Sequence, residues 1–404
     1  MQPARIVAQL LHSCTPFMHA KRWHVLHDVC CAAVAGSWLS LSLLAFATPR
    51  ATTLRHRVKC VDRLLGNAHL QSERVAVYRA LAHRWLSGLP QLLIVVDWSP
   101  LSADMQWHWL RAAVVVEGRS VTLYEEEVHP RCRLANRGVH RRFVERLAQV
   151  LPPASSPPIV ITDAGFRTTW FQLLAERQWQ WIGRIRNRDF LCPAGGHWFA
   201  AKALYAKASH EAKDLGLYLC VRSNPIDARL VLVHRSAKGR TCRYPSGKER
   251  RNSLAKKIAA RHSEPWLLSC SPTLNHLGAE AIVNVYAQRM RIEQQFRDTK
   301  NCAWGMGLKA ARSSGSIRLE ALLLIAHVAA LAKRLIGEAA KAANLQRQLM
   351  STNRKDRAEI SVMTLATRLI AQPHLLKALE HPWRYIHHLR RQVSAAFNYL
   401  PPAL

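Results

Sequence analysis

The sequence predicts an α/β protein with a mixed sheet flanked by helices, and three observations support that prediction. Apolar runs rich in β-branched residues at 92–96 and 159–161 are typical of buried strands. Residues 112–127 predict a hairpin turned around Glu117-Gly118-Arg119, followed by a helix at 139–150. Both ends of the chain are helical in pattern and lack strand alternation. Strands mixed with helices in this order indicate layers packed around one sheet.

The composition points to a polyanionic partner. The 404 residues include 58 Lys and Arg against 26 Asp and Glu, a net charge of +32, while 49% of the residues are hydrophobic. Such an excess repels itself unless a polyanion relieves it, and nucleic acid is the leading candidate. An anionic membrane surface is the rival, but the basic residues are spread along the chain. We expect a folded nucleic-acid-binding protein.

The cysteines and apolar runs predict a cytoplasmic location. The ten cysteines form no CxxC pair and no zinc-finger spacing, so we expect reduced thiols. No signal peptide is recognised at the start of the sequence. The apolar runs Cys31–Ala47 and Ile317–Ile336 are long enough to raise the question of a bilayer span, but we interpret both as buried helices. No membrane contact is expected.

We expect five segments. Residues 1–88 are predicted to be helical, and 89–186 and 275–345 to form the two parts of the sheet-containing core. Residues 187–274 predict a β-rich insertion with a basic loop between Arg235 and Arg261, and 346–404 a basic helical end. The insertion loop and the basic end suit contact with DNA or, for the end, with a partner.

A basic helix is predicted near the start of the chain. Thr52 or Thr53 could cap a helix over Leu54–Leu65. Three of its basic residues stand four residues apart and form a ridge: Arg55, Lys59 and Arg63. A solvated face would look the same, but the charge of the chain favours phosphate contact.

Two acids each follow an apolar strand, and a third lies on a later helix. Asp97 follows the run 92–96, and Asp163 follows the run 159–162. A single acid in this place is usually a turn or cap residue. Together with Glu293, however, they could converge as three carboxylates that hold two hard divalent cations. Such a pair clamps the attacking and leaving oxygens of a phosphoryl transfer.

The third acid belongs to a charged stripe on a helix predicted from about Ala279 to Lys300. At 100° per residue, Tyr286, Arg289, Glu293 and Lys300 fall within about 60° of one another. Arginine and lysine bind phosphate, and glutamate offers hard oxygen to a metal. Either a solvated helix face or a polyanion site beside a metal would explain the stripe.

The Tyr-x2-Arg-x3-Glu-x6-Lys spacing of that stripe resembles the signature helix of the insertion-sequence-four family of DDE transposases. These are cut-and-paste enzymes related to those of transposons ten and five. Asp97 in Ile-Val-Val-Asp-Trp and Asp163 in Ile-Thr-Asp-Ala-Gly-Phe match the first two acids of the family, and residues 59–67 resemble its end-binding segment. The resemblance implies an RNase H-like core interrupted by a β-rich insertion. It also implies an N-terminal domain that binds transposon ends.

The resemblance further implies a mechanism and its partners. Asp97, Asp163 and Glu293 would be catalytic and would bind two Mg²⁺ or Mn²⁺ ions. The enzyme would nick the transposon end, close and reopen a hairpin, and join the 3′-ends to target DNA, as a homodimer without a protein cofactor. It would work in the bacterial cytoplasm, associated with the nucleoid. The DNA contacts implied at the core are Tyr286, Arg289 and Lys300 on phosphates, Arg184 on the hairpin phosphate, and Trp266 stacked on a flipped base.

Two other functions remain open on the sequence. A catalytically inactive DNA-binding inhibitor of transposition could share the fold, and so could a metal-dependent DNA nuclease. The presence of all three acids favours an enzyme over the inhibitor. The tyrosine, arginine and lysine of the stripe favour a transposase over a general nuclease.

Overall fold

The computed structural model divides the chain into two compact units. Unit 1 is Met1–Ser156 with Met290–Phe397, and unit 2 is Pro157–Arg289 with Asn398–Leu404. We describe each unit by itself. The residues that the structure describes are 3–12, 14–101, 107–130, 134–235, 253, 264–350, 360–377, 379 and 385–396.

Unit 1 contains an antiparallel sheet and a set of helices. Its strands are β1 (Leu93–Pro100), β2 (Trp107–Val116) and β3 (Arg119–Pro130). The helices before the sheet are α1 (Pro3–His12), α2 (Ala20–Val34), α3 (Leu41–Ala47), α4 (Leu54–Leu65) and α5 (Ala68–Leu86), and α6 (Arg137–Val150) follows it. The later helices are α9 (Met290–Lys300), α10 (Ser316–Ala342), α11 (Gln346–Leu349), α12 (Val362–Ile370), α13 (Pro373–Lys377) and α14 (Ile386–Ala395).

The sheet of unit 1 is built from the predicted hairpin and the strand before it. Val114 pairs with Ile94 of β1 and, on its other side, with Val121 of β3, and these central residues are fully buried or nearly so. Glu117 and Gly118 make the turn between β2 and β3, where Gly118 has a φ of 66°. Glycine adopts this left-handed backbone at no steric cost, which fixes the hairpin.

Helix α10 is the apolar stretch that raised the question of a membrane. It is buried along nearly its whole length, from Leu319 to Ala340, and packs on β3 and on α12. At Gly337 a Cβ atom would lie 2.2 Å from the carbonyl oxygen of Val362, so only glycine allows α12 to approach this closely. The predicted buried helix is therefore confirmed. Among the described residues, no helix has the length and apolarity needed to cross a bilayer.

Unit 2 contains a mixed sheet. Its strands are β4 (Ile159–Thr162), β5 (Gln180–Arg184), β6 (Phe190–Pro193), β7 (Phe199–Ala200), β8 (Lys213–Cys220), β9 (Ile226–Val233) and β10 (Trp266–Cys270). Within the unit they lie in the order β4-β5-β10-β9-β8-β6-β7. β4 and β5 are parallel, and the other neighbouring pairs are antiparallel. Its helices are α7 (Thr168–Ala175) and α8 (Ala279–Ala287), with short 3₁₀ turns at Ala201–Lys207 and Pro272–Leu274.

The predicted fold class is confirmed, because a mixed sheet occurs together with flanking helices. The helix predicted at Leu54–Leu65 has these bounds, and the side chain of Thr53 caps it by accepting from the N–H of His56. The helical N-terminal region and the strands of the insertion are also present. Every cysteine that the structure describes is free, as expected.

Three predictions of local structure are wrong. The run Cys31–Ala47, interpreted as one buried helix, is divided between α2 and α3, because Gly36 has a φ of 107° and residues 35–40 are not helical. β1 does not end before Asp97 but continues to Pro100. The single helix predicted from about Ala279 to Lys300 is two helices, α8 and α9. The N–H of Gln288 donates to Val285 and that of Arg289 to Tyr286, three residues back, so the backbone tightens and the α-helical hydrogen bonding stops. Most of the predicted basic loop, 236–252 and 254–261, lies outside the described residues.

Candidate active site

Asp97 lies inside β1 and is partly buried. Its Oδ1 accepts a hydrogen bond from the N–H of Trp98 at 2.8 Å. On the neighbouring strand Arg111 is its direct partner in register. Residues directly opposite in an antiparallel pair point to the same face of the sheet, so Asp97 shares its face with Arg111.

Helix α9 covers that face. A terminal nitrogen of Arg111 donates to Thr299 Oγ1 at 3.2 Å, and Lys300 Nζ donates to Ser99 Oγ at 2.8 Å. Ser99 is two residues beyond Asp97 and therefore points to the same side of the strand. Both contacts place the carboxylate of Asp97 on the face that carries α9.

Glu293 is exposed on α9 and lines an open pocket of about 510 Å³, which we call the Glu293 pocket. Its other lining residues are Arg297, Lys300, Asn301, Cys302, Ala303 and Lys309. Burial and the positive charges of Lys309 and Arg111 together lower the pKa of Lys300 to about 8, while Asp97 opposes the shift. Asp97 is thus within electrostatic range of Lys300. The pocket joins one exposed carboxylate to three cations, a combination suited to a phosphate beside a metal.

A buried ion pair lies on this face of the sheet, beside α9. Arg111 pairs with Glu125 at 2.6 Å, and both side chains are almost completely buried. Burial raises the pKa of Glu125, and Arg111 counteracts that rise. The guanidinium of Arg111 also lies 4.9 Å from the centre of the Phe296 ring on α9. The pair was not predicted, because its only signals in the sequence are Arg111 inside the apolar strand β2 and Glu125 as the first of three consecutive glutamates in β3.

Asp163 follows β4 directly in unit 2, as predicted. Its Oδ1 accepts a hydrogen bond from the N–H of Gly165 at 2.7 Å, which makes a tight turn after the strand. A Cβ atom on residue 165 would stand 2.7 Å from the same oxygen. Glycine therefore allows the backbone to approach the carboxylate.

A cleft of about 460 Å³ opens beside this turn, and we call it the arginine cleft. β4 and β5 are parallel with Ile161 beside Ile182, so Asp163 and Arg184 lie equally far along their strands, at the same edge of the sheet. Asp189 is the acid among the described lining residues of the cleft. Four arginines line it: Arg167, Arg184, Arg186 and Arg188. Burial and the charge of Arg188 lower the pKa of Arg186, while Asp163 partly offsets them. Cations crowd this cleft.

Three of the predicted DNA contacts lie near one another in unit 2. Trp266 and Tyr286 meet edge to face, with ring centres 5.2 Å apart. Arg184 donates to the carbonyl oxygens of Glu264 and Pro265, the two residues before Trp266, at 3.4 and 3.3 Å. Arg289 lies in the turn after α8, outside either helix. The predicted single stripe is therefore wrong, because Tyr286 and Arg289 are not on the helix that carries Glu293 and Lys300. Tyr286 is also only 4% exposed.

A sequence comparison shows the family of the chain. A sequence model described as Transposase DDE domain matches residues 88–331, which is more than half of the chain. The chain belongs to the DDE transposase family. Proteins of this family cleave and join DNA with the help of divalent metal ions, so DNA is the substrate of this transposase domain. A comparison with curated proteins finds no match.

The matched segment includes all three predicted acids but not the N-terminal basic ridge. Arg55, Lys59 and Arg63 lie on α4 and are all exposed. Their neighbour Asp62 forms an ion pair with Arg318 of α10, so α4 is attached to the rest of unit 1. The ridge therefore lies on a fixed surface of the transposase, outside the part that defines the family.

The metal site of the transposase stays a prediction. Within the described ranges, no three His, Cys, Asp or Glu side chains are grouped closely enough to hold an ion. Asp97 and Glu293 belong to unit 1, and Asp163 belongs to unit 2. In chemical terms the donor set fits, because carboxylate oxygens are the ligands that Mg²⁺ and Mn²⁺ prefer.

Proposed function

We propose that this chain is a cut-and-paste transposase of the insertion-sequence-four type. It cuts a mobile element at its inverted-repeat ends and joins the 3′-ends to target DNA. The observation that carries the proposal is the attachment of α9 to β1 through Lys300 and Ser99 at 2.8 Å. That bond holds Asp97 and the helix of Glu293 on one face, inside the segment that matches the transposase family.

Asp97, Asp163 and Glu293 are the residues that would hold two divalent ions, Mg²⁺ or Mn²⁺. When bound, such ions supply activation of the attacking oxygen and stabilisation of the leaving oxygen in phosphoryl transfer. The protein contributes position and charge. Lys300, fixed by Ser99 and Pro100, presents its ammonium in the Glu293 pocket, where a scissile phosphate would lie.

The remaining predicted residues act on the DNA in this proposal. Tyr286 and Arg289 bind phosphates of the transposon end, and Arg184 binds the phosphate of a hairpin intermediate. Trp266 stacks on a base flipped out when the hairpin closes. Support comes from the contact of Trp266 with Tyr286 and from the hydrogen bonds that hold Arg184 beside the start of β10. An aromatic platform returns about 1–3 kcal/mol of the cost of unstacking a base.

The N-terminal ridge of Arg55, Lys59 and Arg63 binds the end sequence in the same proposal. All three side chains are exposed on one helix, as phosphate contacts require. Two ends must be brought together before joining, so we expect a homodimer on DNA, acting on the bacterial nucleoid.

The test is Asp97→Asn with the inverted repeats that flank the gene as substrate. We expect Mg²⁺-dependent cleavage to be lost while the affinity for the end DNA stays near that of the parent, because the change removes a metal ligand and keeps the shape. Glu117→Gln is the matched control, since Glu117 is an exposed acid in the turn of the β2–β3 hairpin. It should cleave and bind normally. Cleavage by the Asp97 variant at the parent's rate would refute the enzyme assignment and favour a DNA-binding inhibitor.

A further inference from the structure

A second pocket lies beside the Glu293 pocket, and the proposed function assigns it no role. It measures about 270 Å³, and we call it the Trp304 pocket. Trp304 is 82% exposed, the most exposed of the large hydrophobic residues that the structure describes. Cys302, Ala303 and Lys333 also line this pocket. Tryptophan is enriched at binding surfaces, because its large ring packs on a partner while its N–H can donate a hydrogen bond.

The loop that carries Trp304 is tightly built. The side-chain oxygen of Asn301 accepts the N–H groups of Ala303 and Trp304 at 2.7 and 3.0 Å. The N–H of Met306 donates to Asp298 at 2.9 Å, and the carbonyl of Met306 accepts the N–H of Leu39 at 2.9 Å. The indole is therefore held out in solvent by an ordered loop.

Glycines allow this loop to pack closely. Gly307 has a φ of 66°, and a Cβ atom there would stand 2.5 Å from the ring of Trp38. A Cβ atom on Gly305 would stand 2.2 Å from the carbonyl oxygen of Asp298. A fixed aromatic loses little conformational freedom when a planar ligand stacks on it, which favours binding.

Lys333 provides a cation at the other side of the pocket. It lies on α10 and is only 6% exposed. Among the described residues it forms no ion pair or hydrogen bond, and burial lowers its pKa to about 8. Asp298 is the carboxylate among the described residues that line the Trp304 pocket, and it pairs with Arg119 at 3.3 Å and not with Lys333. A buried ammonium without an anion is costly, so the partner of Lys333 is expected to come from a ligand.

The position of the pocket indicates which ligand. Cys302 and Ala303 line both the Trp304 pocket and the Glu293 pocket, so the two are contiguous within unit 1. A DNA strand with a phosphate in the Glu293 pocket would pass directly along the loop of Trp304. A nucleotide offers both groups that the pocket calls for, a planar base and an anionic phosphate.

We propose that the Trp304 pocket binds one unpaired nucleotide of the DNA strand that leaves the Glu293 pocket, with its base on Trp304 and its phosphate beside Lys333. The proposal rests on the proposed function, because it assumes a DNA strand at Glu293. It adds a single-strand subsite in unit 1, separate from Trp266 in unit 2.

The experiment compares a short labelled blunt duplex with the same duplex carrying a single-stranded extension. Binding is measured by fluorescence anisotropy at one salt concentration and without divalent metal, so that no cleavage occurs. The parent should prefer the extended DNA, and Trp304→Ala should reduce that preference by roughly 5-fold or more, which is the share of one stacked base. Phe46→Ala is the matched control, since Phe46 is 68% exposed on α3.

Lys333→Met separates binding from packing. The change keeps the length of the side chain and removes the buried charge, so the melting temperature at pH 7 should stay the same or rise while the preference for extended DNA falls. Lys341→Met, on the same helix but outside the pocket, should leave the preference unchanged. This combination of unchanged or higher stability with weaker binding would not arise if Lys333 only supported the fold.

Three results would overturn the proposal. The parent could bind both DNAs equally, both pocket variants could keep the parent's preference, or Lys333→Met could lower the melting temperature and leave the preference intact. None of these results depends on cleavage. They are therefore distinct from failure of the proposed function, which is decided by the Asp97 variant.

Discussion

Two groups of arginines, one in each unit, are arranged in opposite ways. In unit 1, Arg111 is buried and paired with Glu125, and Arg74 is buried and paired with Glu320. In unit 2, the arginine cleft collects Arg184, Arg186 and Arg188 with little acidic charge among its described lining residues. The first group is neutralised by its carboxylate partners, while the second lines an open cleft.

This difference separates structural from functional charge. A buried arginine paired with its own carboxylate is shielded from a phosphate, and it fixes the position of the elements that it joins. In the open cleft, burial and then repulsion by Arg188 lower the pKa of Arg186, a cost that a bound polyanion would relieve. We therefore expect substitutions of the buried, paired arginines to affect stability and those in the cleft to affect DNA affinity.

The largest effect is expected for Arg111→Met. The change leaves Glu125 buried without its partner, so the free energy of unfolding should fall by about 3–5 kcal/mol. Urea denaturation followed by circular dichroism measures it. The double variant Arg111→Met with Glu125→Leu is the control and should recover most of the loss, because no uncompensated charge remains. A single variant as stable as the parent would show that the pair does not hold the strands.

A second effect in unit 1 depends on pH. His327 on α10 is fully buried beside the ring of Tyr78, with ring centres 4.9 Å apart. Burial, with help from Arg111, lowers its pKa from 6.5 to about 3. Between these values the unfolded chain binds the proton and the folded chain does not, so the stability that is present above pH 6.5 is lost as the pH falls towards 3.

His327→Leu should remove this acid sensitivity. Between about pH 6 and pH 4 the slope of unfolding free energy against pH should be smaller in the variant by up to about 1.4 kcal/mol per pH unit. Urea titrations at several pH values give the slope. The exposed His374 provides the matched control, and His374→Asn should keep the parent's slope. Equal slopes for the parent and the His327 variant would contradict a neutral buried imidazole.

Much of the fold was predictable because the signals are local. The apolar run before Asp97 fixes a buried strand, Thr53 supplies the oxygen that caps α4, and Gly118 permits the turn of the hairpin. Each depends on neighbours in sequence, which is why the pattern of residues was sufficient. The position of Asp163 directly after β4 was predictable for the same reason.

The remainder depends on contacts between distant residues. Arg111 and Glu125 occupy buried strands because they neutralise each other across the sheet, and nothing in either strand alone reveals its partner. The break after α8 contains no proline or glycine, so no residue marked the turn at Gln288. Lys333 lies near the end of the apolar run Ile317–Ile336, and its burial depends on the loop of Trp304 and on α12.

The smallest effect, and the counterpart to Arg111, is expected for Arg188→Gln in the arginine cleft. Arg188 is exposed and forms no ion pair with the described residues, so the free energy of unfolding should change by less than about 0.5 kcal/mol. Affinity for duplex DNA should fall a few-fold, and the slope of log affinity against log salt should become shallower by about 1, since one phosphate contact is lost. Anisotropy titrations over a range of salt concentrations measure both.

Arg177→Gln decides whether this effect belongs to the cleft or to charge in general. Arg177 is exposed in the same unit but lies outside the cleft lining, and its loss changes the net charge of the chain by the same amount. If only Arg188→Gln changes the salt slope, the cleft contacts phosphate directly. If both variants weaken binding and change the slope equally, the contribution of Arg188 is long-range attraction alone, and the contrast between the two groups of arginines would concern stability but not recognition.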